Sequence, residues 1–133
     1  MDELSSKLLE NVKNIAVVGL SPNGQKDSNI VARYLEEHGY NIIPVNPMYE
    51  EVLGKKAYDS LKDIPDSVDV DLVNIFRPAN EVPEIVREAL ELKNISGIWI
   101  QEGIISEGGK ALAKENGINV IMDRCIKKVH TAL

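Results

Sequence analysis

The chain has 133 residues, of which 44% are hydrophobic and 27% charged, and a formal net charge of −6. That length fits one domain, residues 1–133, with apolar content sufficient for a packed core and too high for a disordered chain. The acidic balance argues against nucleic acid or an anionic membrane surface as partner, because either would need a basic face.

No apolar stretch approaches the roughly 20 residues of a membrane span. The amphipathic, acid-bearing start of the chain, residues 1–10, is not read as a secretory signal. Cys125 is the only cysteine. It has no intrachain partner, and the expected compartment is a reducing cytoplasm.

Leu4, Leu8, Leu9 and Val12 have helical spacing and predict a short leading helix. Ile15 to Val18 is an apolar, mostly β-branched run, the pattern of a strand buried on both faces. Gly19 ends it, and Pro22, Asn23 and Gly24 carry turn chemistry. Asp27 or Ser28 then caps a helix to about His38, which Gly39 terminates. A second strand, Tyr40 to Val45, stops at Asn46-Pro47.

Glu50 to Asp63 reads as a loop, a short strand or turn near Ala57, and one helical turn before Pro65. Val70 to Phe76 is a further strand, followed by the loop Arg77-Pro78-Ala79-Asn80. Asn80 is the expected cap of a helix marked by Val82, Ile85, Val86, Ala89, Leu90 and Leu92. Gly97 to Gln101 is strand, Ser106 to Glu115 helix, and Ile118 to Met122 the last strand. Asp123-Arg124-Cys125 leads into a basic tail.

Strands and helices thus alternate. The expected fold class is α/β: Rossmann-like, doubly wound, with a mainly parallel sheet of about five strands and helices on both faces. Ligands of such sheets bind beyond the carboxyl ends of the strands. Gly19 to Ser28, Val45 to Tyr49, Phe76 to Asn80, Gln101 to Gly103 and Asp123 to Cys125 all converge there.

A strand, a glycine-containing loop and a helix N-terminus make an anion site, and a nucleotide diphosphate is expected on it. The register from Gly19 to Gly24 only partly matches a dinucleotide fingerprint, since Ser21 stands at the middle glycine. The second strand ends in Val45-Asn46-Pro47, with no acid for free ribose hydroxyls. That weakens a nicotinamide cofactor. Coenzyme A fits, because a carboxylate would repel its 3′-phosphate.

Residues 16–21 (A-V-V-G-L-S), 38–47, 50–60, 74–83 (N-I-F-R-P-A-N-E-V-P), 98–104 and 120–127 (V-I-M-D-R-C-I-K) carry a family resemblance over nearly the whole chain. It resembles the stand-alone CoA-binding proteins, whose Rossmann-like domain is similar to the CoA-binding domain of succinyl-CoA ligase alpha subunits. The resemblance implies that Ser21 to Gly24 wraps the diphosphate. It implies that Asn46-Pro47 lies beside the adenosine and that Arg77-Pro78-Ala79 lines the groove. A basic residue often follows Asn-Pro in that family, and Met48 stands here. Lys26, Lys55, Lys56 or Arg77 would then supply the charge.

The sequence reading is of a module that binds CoA or an acyl-CoA without catalysis of its own. Its contacts are Gly19, Ser21, Pro22, Asn23, Gly24, Lys26, Asp27, Ser28, Val45, Asn46, Pro47, Phe76, Arg77, Pro78 and Ala79. The alternative is an NAD(P)-dependent oxidoreductase or nucleotide-linked redox sensor. The phosphohistidine domain of the ligases is not expected, and His38 and His130 match no motif of it. No nucleophile–base set is visible. No Cys/His cluster has metal-ligand spacing, and Asp69-Val70-Asp71 reads as a strand entry. Homodimerisation is compatible with the sequence, though no feature requires it.

Glu102-Gly103 sits at the ligand edge, but an acid near phosphates is unhelpful. Met48, Trp99 and Met122 read as packing, and Lys127-Lys128 as a solvated tail. Cys125, flanked by Arg124 and Lys127, is read two ways. It is a thiolate able to exchange with CoA, or a cysteine that fills space.

Overall fold

A computed structural model describes residues 3–133. The first two residues of the amphipathic N-terminal stretch lie outside the described residues. The elements are α1 (Glu3–Asn11), β1 (Asn14–Val18), α2 (Asp27–Glu37), β2 (Asn41–Val45), β3 (Glu51–Val52), β4 (Lys55–Lys56), β5 (Leu72–Ile75), α3 (Val82–Ala89), β6 (Gly97–Ile100), α4 (Glu107–Glu115), β7 (Asn119–Met122) and α5 (Ile126–Thr131). Five strands form one parallel sheet in the order β2-β1-β5-β6-β7.

Side chains alternate across that sheet, so each strand feeds two cores. Ala16 and Val18 of β1 face one side, with Val73, Ile75, Ile98 and Ile100. Val82, Ile85, Val86 and Ala89 of α3, and Ala113 of α4, cover them. Ile15 and Val17 face the other side, with Leu72, Trp99 and Ile121. Leu8 and Leu9 of α1, Val31 and Leu35 of α2, and Ile126 of α5 cover those. This is the Rossmann-like, doubly wound α/β arrangement. The chain leaves β1 toward β2 on one side and returns to β5 on the other, so the switch point lies between β1 and β5.

Local departures from expectation have physical causes. α2 is not capped by Asp27 or Ser28: Lys26 holds the cap position, and no side chain caps the helix. Ser28 points inward and accepts the Ser21 N–H at 3.0 Å. The short strand expected near Ala57 is β4, but the loop expected before it holds a second strand, β3. β3 and β4 pair as an antiparallel hairpin across Leu53 and Gly54, both at positive φ (56° and 72°), the geometry of a type I′ turn. The helical turn before Pro65 is a 3-10 turn, Leu61–Asp63. Asn80 does not cap α3; it lies inside a 3-10 turn, Ala79–Glu81, and Glu81 takes the cap position. The expected strands trim to Asn41–Val45, Leu72–Ile75 and Gly97–Ile100, and α3 stops at Ala89. The basic tail is no solvated strand of chain: it forms α5, anchored by fully buried Ile126.

Among the described residues, no helix is long and apolar enough to cross a membrane.

Candidate functional site

At the switch point Gly19 follows β1, with φ +88°. A Cβ there would lie 2.7 Å from the Phe76 carbonyl oxygen and 2.9 Å from Arg77 Cδ. Only glycine lets the loops after β1 and β5 approach this closely. The Phe76 N–H donates to the Val18 carbonyl at 2.9 Å, and the Gly19 N–H to that of Val45 at 2.8 Å. The ends of β1, β2 and β5 are thereby tied together.

The loop from Leu20 to Lys26 is built by its own side chains. Ser21 Oγ accepts the Asn23 N–H at 3.1 Å, and Asn23 Oδ1 the Gln25 N–H at 2.9 Å. Such Ser and Asx turns replace backbone pairing where the chain bends sharply. Asn29 is buried on α2 and donates to the Ser21 carbonyl at 2.8 Å. Arg33, held by Asn29 Oδ1, donates to the Gly24 carbonyl at 2.9 Å. From β2, Asn46 Nδ2 donates to the Leu20 carbonyl at 3.0 Å, and its Oδ1 accepts the Met48 N–H at 2.9 Å. Asn46 thus couples the two loops.

Among the cavities that the described residues form on this edge, two lie one toward each core. The first, of about 330 Å³, is lined by Gly19, Val45, Asn46, Pro47, Met48 and Arg77, among others. The second, of about 400 Å³, is lined by residues that include Asp27, Phe76, Gln101, Cys125, Lys127 and Lys128. Gly19 lines the first and Asp27 the second; Ser21, Pro22, Asn23, Gly24 and Lys26, on the loop that runs between them and ends in the uncapped start of α2, line neither. Free N–H groups at a helix start, with the positive end of the dipole, favour an anion. Pro78 and Ala79 are exposed beyond Arg77 and line neither cavity.

The charges are arranged less simply than expected. Arg77 donates to Glu81 from Nε (3.0 Å) and Nη2 (2.7 Å). These bonds raise the guanidinium's already high pKa and hold the Glu81 carboxyl below its ordinary range. Lys55 is no candidate for the ligand's phosphates. It pairs with Glu36 at 3.0 Å and donates to Asn41, at the opposite end of β2. Lys56 lies over the Tyr58 ring, 5.4 Å from its centroid, and lines a recess beside Met48. Lys128 binds Glu102 at 3.0 Å, and that bond raises its pKa.

The sequence reading did not single out Asn29, Arg33 or Glu81. Asn29 and Arg33 are four apart on α2, and Arg77 and Glu81 four apart across a turn. Polar side chains at that spacing meet.

The model of the CoA binding domain family matches residues 13–131. YneT of Bacillus subtilis, an uncharacterized protein, is 42% identical over 124 residues, covering 93% of this chain and 90% of that protein. The ADP-forming acetate–CoA ligase of Methanocaldococcus jannaschii is 30% identical over 133 residues; the match covers 94% of this chain but only 18% of the ligase. Among solved structures, a hypothetical protein from Pyrococcus horikoshii OT3 superposes with a TM-score of 0.93 at 38% identity, covering 100% of this chain and 92% of that one. By match, fold and edge geometry together, this chain belongs to the CoA binding domain family.

Proposed function

We propose that the protein binds coenzyme A, free or acylated, with the diphosphate on the loop Ser21 to Ser28. The observation that carries this reading is the start of α2. It has no side-chain cap, it lies at the carboxyl edge, and its loop runs from Gly19 at the first cavity to Asp27 at the second. Oriented backbone N–H groups of this kind take phosphate without a dedicated cation. The first cavity takes the adenosine, with Asn46 and Pro47 on one wall and Arg77 on the other. The protein acts as a binding module in a reducing cytoplasm, without catalysis of its own.

The end of β2 speaks against a nicotinamide nucleotide. Asn46 stands where an acid would hold the ribose hydroxyls, and its amide is already engaged by Leu20 and Met48. Titration calorimetry with CoA, dephospho-CoA and NAD tests the proposal. CoA should bind most tightly. Tighter binding of NAD would overturn it. Mass spectrometry of gently purified protein gives an independent check through whichever nucleotide co-purifies.

A further inference from the structure

The second cavity has an apolar wall of Ile30, Val31, Phe76 and Ile104, with Gln101 and Cys125 among its other lining groups. Gln101 is only 5% exposed. Its Oε1 accepts from Asn74 Nδ2 at 3.3 Å and from the Ile126 N–H at 3.4 Å. Two donors on one oxygen fix the orientation of the amide. Turned over, its NH2 would face the Ile126 N–H. Nε2, the other branch of an amide that lines the cavity, has no hydrogen-bond partner among the described residues. A nearly buried amide with unengaged donors is matched by a carbonyl oxygen.

Cys125 lines the same space and is half-buried. The turn that presents it is braced. Trp99 Nε1 donates to the Arg124 carbonyl at 3.0 Å. Asp123 holds a positive φ of 59°, and its Oδ1 accepts the Gly103 N–H at 2.8 Å. A volume of about 400 Å³ is within the usual range for small-molecule pockets.

We propose that this cavity receives the amide-bearing, thiol-terminated arm of the ligand, with an amide carbonyl on Gln101 Nε2 and the terminal sulfur beside Cys125. We further propose that Cys125 forms a reversible mixed disulfide there. The inference rests on the CoA reading above. The Cys125 thiol gives its proton to solvent, and the thiolate attacks one sulfur of a CoA disulfide. The disulfide bond breaks as the Cys125–CoA bond forms. The second CoA leaves as a thiolate and takes a proton. Cys125 is oxidised, one CoA is reduced, and no further oxidant enters.

The test follows intact mass during incubation with CoA disulfide and, separately, with bis(2-hydroxyethyl) disulfide at equal concentration. The ratio of the two rates separates recognition from simple thiol exposure. A bound arm raises the effective concentration at the sulfur, so the ratio should exceed about ten. Dithiothreitol should remove the adduct, and Cys125→Ser should give none. Gln101→Glu keeps the acceptor oxygen and removes the donors; measured with the uncharged disulfide of the amide-bearing arm alone, on which the added charge has no phosphate to repel, it should lower the ratio to bis(2-hydroxyethyl) disulfide several-fold. A ratio near one in the native protein overturns the inference, as does an unchanged ratio in Gln101→Glu. Calorimetry with CoA under dithiothreitol, on the same preparation, distinguishes the two failures. Tight binding without adduct removes only the Cys125 assignment, whereas no binding removes the CoA reading itself.

Discussion

The Arg77 guanidinium is gripped by Glu81 through two hydrogen bonds, at 3.0 Å and 2.7 Å, on the wall of the first cavity. An approaching phosphate must share or replace that carboxylate. Arg77→Ala should weaken CoA binding by about 1–3 kcal/mol, the range of charge-assisted bonds. Glu81→Gln should strengthen it by up to about 1 kcal/mol, because an exposed ion pair is worth no more than that. Calorimetry on both variants checks the pair. Unchanged affinity in Arg77→Ala would move this guanidinium out of the site.

Gly19→Ala tests the close approach at the switch point. The added Cβ would meet the Phe76 carbonyl oxygen at 2.7 Å, at a φ of +88°. The nearest obstacle is backbone and not only the Arg77 side chain, so little can give way, and the conformation is itself strained for alanine. A loss of about 1–3 kcal/mol in unfolding free energy is expected, measured by urea denaturation. Ala16, within β1, has no such positive φ. A wild-type midpoint for Gly19→Ala would mean that the two loops separate freely.

The strands were legible because burial on both faces leaves runs such as Ile15 to Val18, which need no partner to be recognised. The convergence of Gly19, Asn46 and Arg77 followed from connectivity alone. The missed features are those decided by tertiary context. Leu53 holds a positive φ without the Asn or Asp that would announce a hairpin turn. Ser28 has the chemistry of a cap, yet the Ser21 and Asn23 turns start the helix earlier and leave Ser28 to brace the loop. In residues 126–130 only Ile126 is fully buried, too little periodicity to mark a helix. Lys55 is adjacent to Lys56, but alternation along β4 sends the two to different neighbours.

Stability should fall on mild acidification because of the contact between α2 and α5. Tyr34 Oη lies 2.7 Å from His130 Nδ1. His38 stacks on Tyr34, 4.0 Å between centroids, and meets His130 at 5.2 Å. Tyr40 packs edge-on to His130, and Lys127 sits over the Tyr34 ring. Burial, then the His38 charge, hold the His130 imidazole below its ordinary pKa of 6.5. The unfolded chain therefore takes up the proton first as pH falls. The contribution is complete above the unfolded value and is lost as pH drops through it toward the lower folded value. Calorimetric melting at pH 7.5 and 5.5 should show a lower Tm at 5.5. His130→Gln should reduce that difference, and an identical pH dependence in the variant would assign it to other groups.

Met48→Lys asks which phosphate the turn after β2 faces. Met48 is 78% exposed, and its N–H is held by Asn46 Oδ1 at 2.9 Å. Its side chain borders both the first cavity and the recess lined by Lys56. Replacing so exposed a residue should change stability little. A lysine would add a compact cation beside the adenosine wall, where the 3′-phosphate of CoA is expected. CoA binding should tighten by about 1 kcal/mol at low salt, and the gain should shrink as salt rises. Dephospho-CoA lacks the 3′-phosphate, and its affinity should stay at the wild-type value. An equal gain for both ligands would place the new cation at the diphosphate. No gain for either would detach this turn from the phosphates and leave Arg77, Lys26 and Lys56 as the remaining cations to account for affinity.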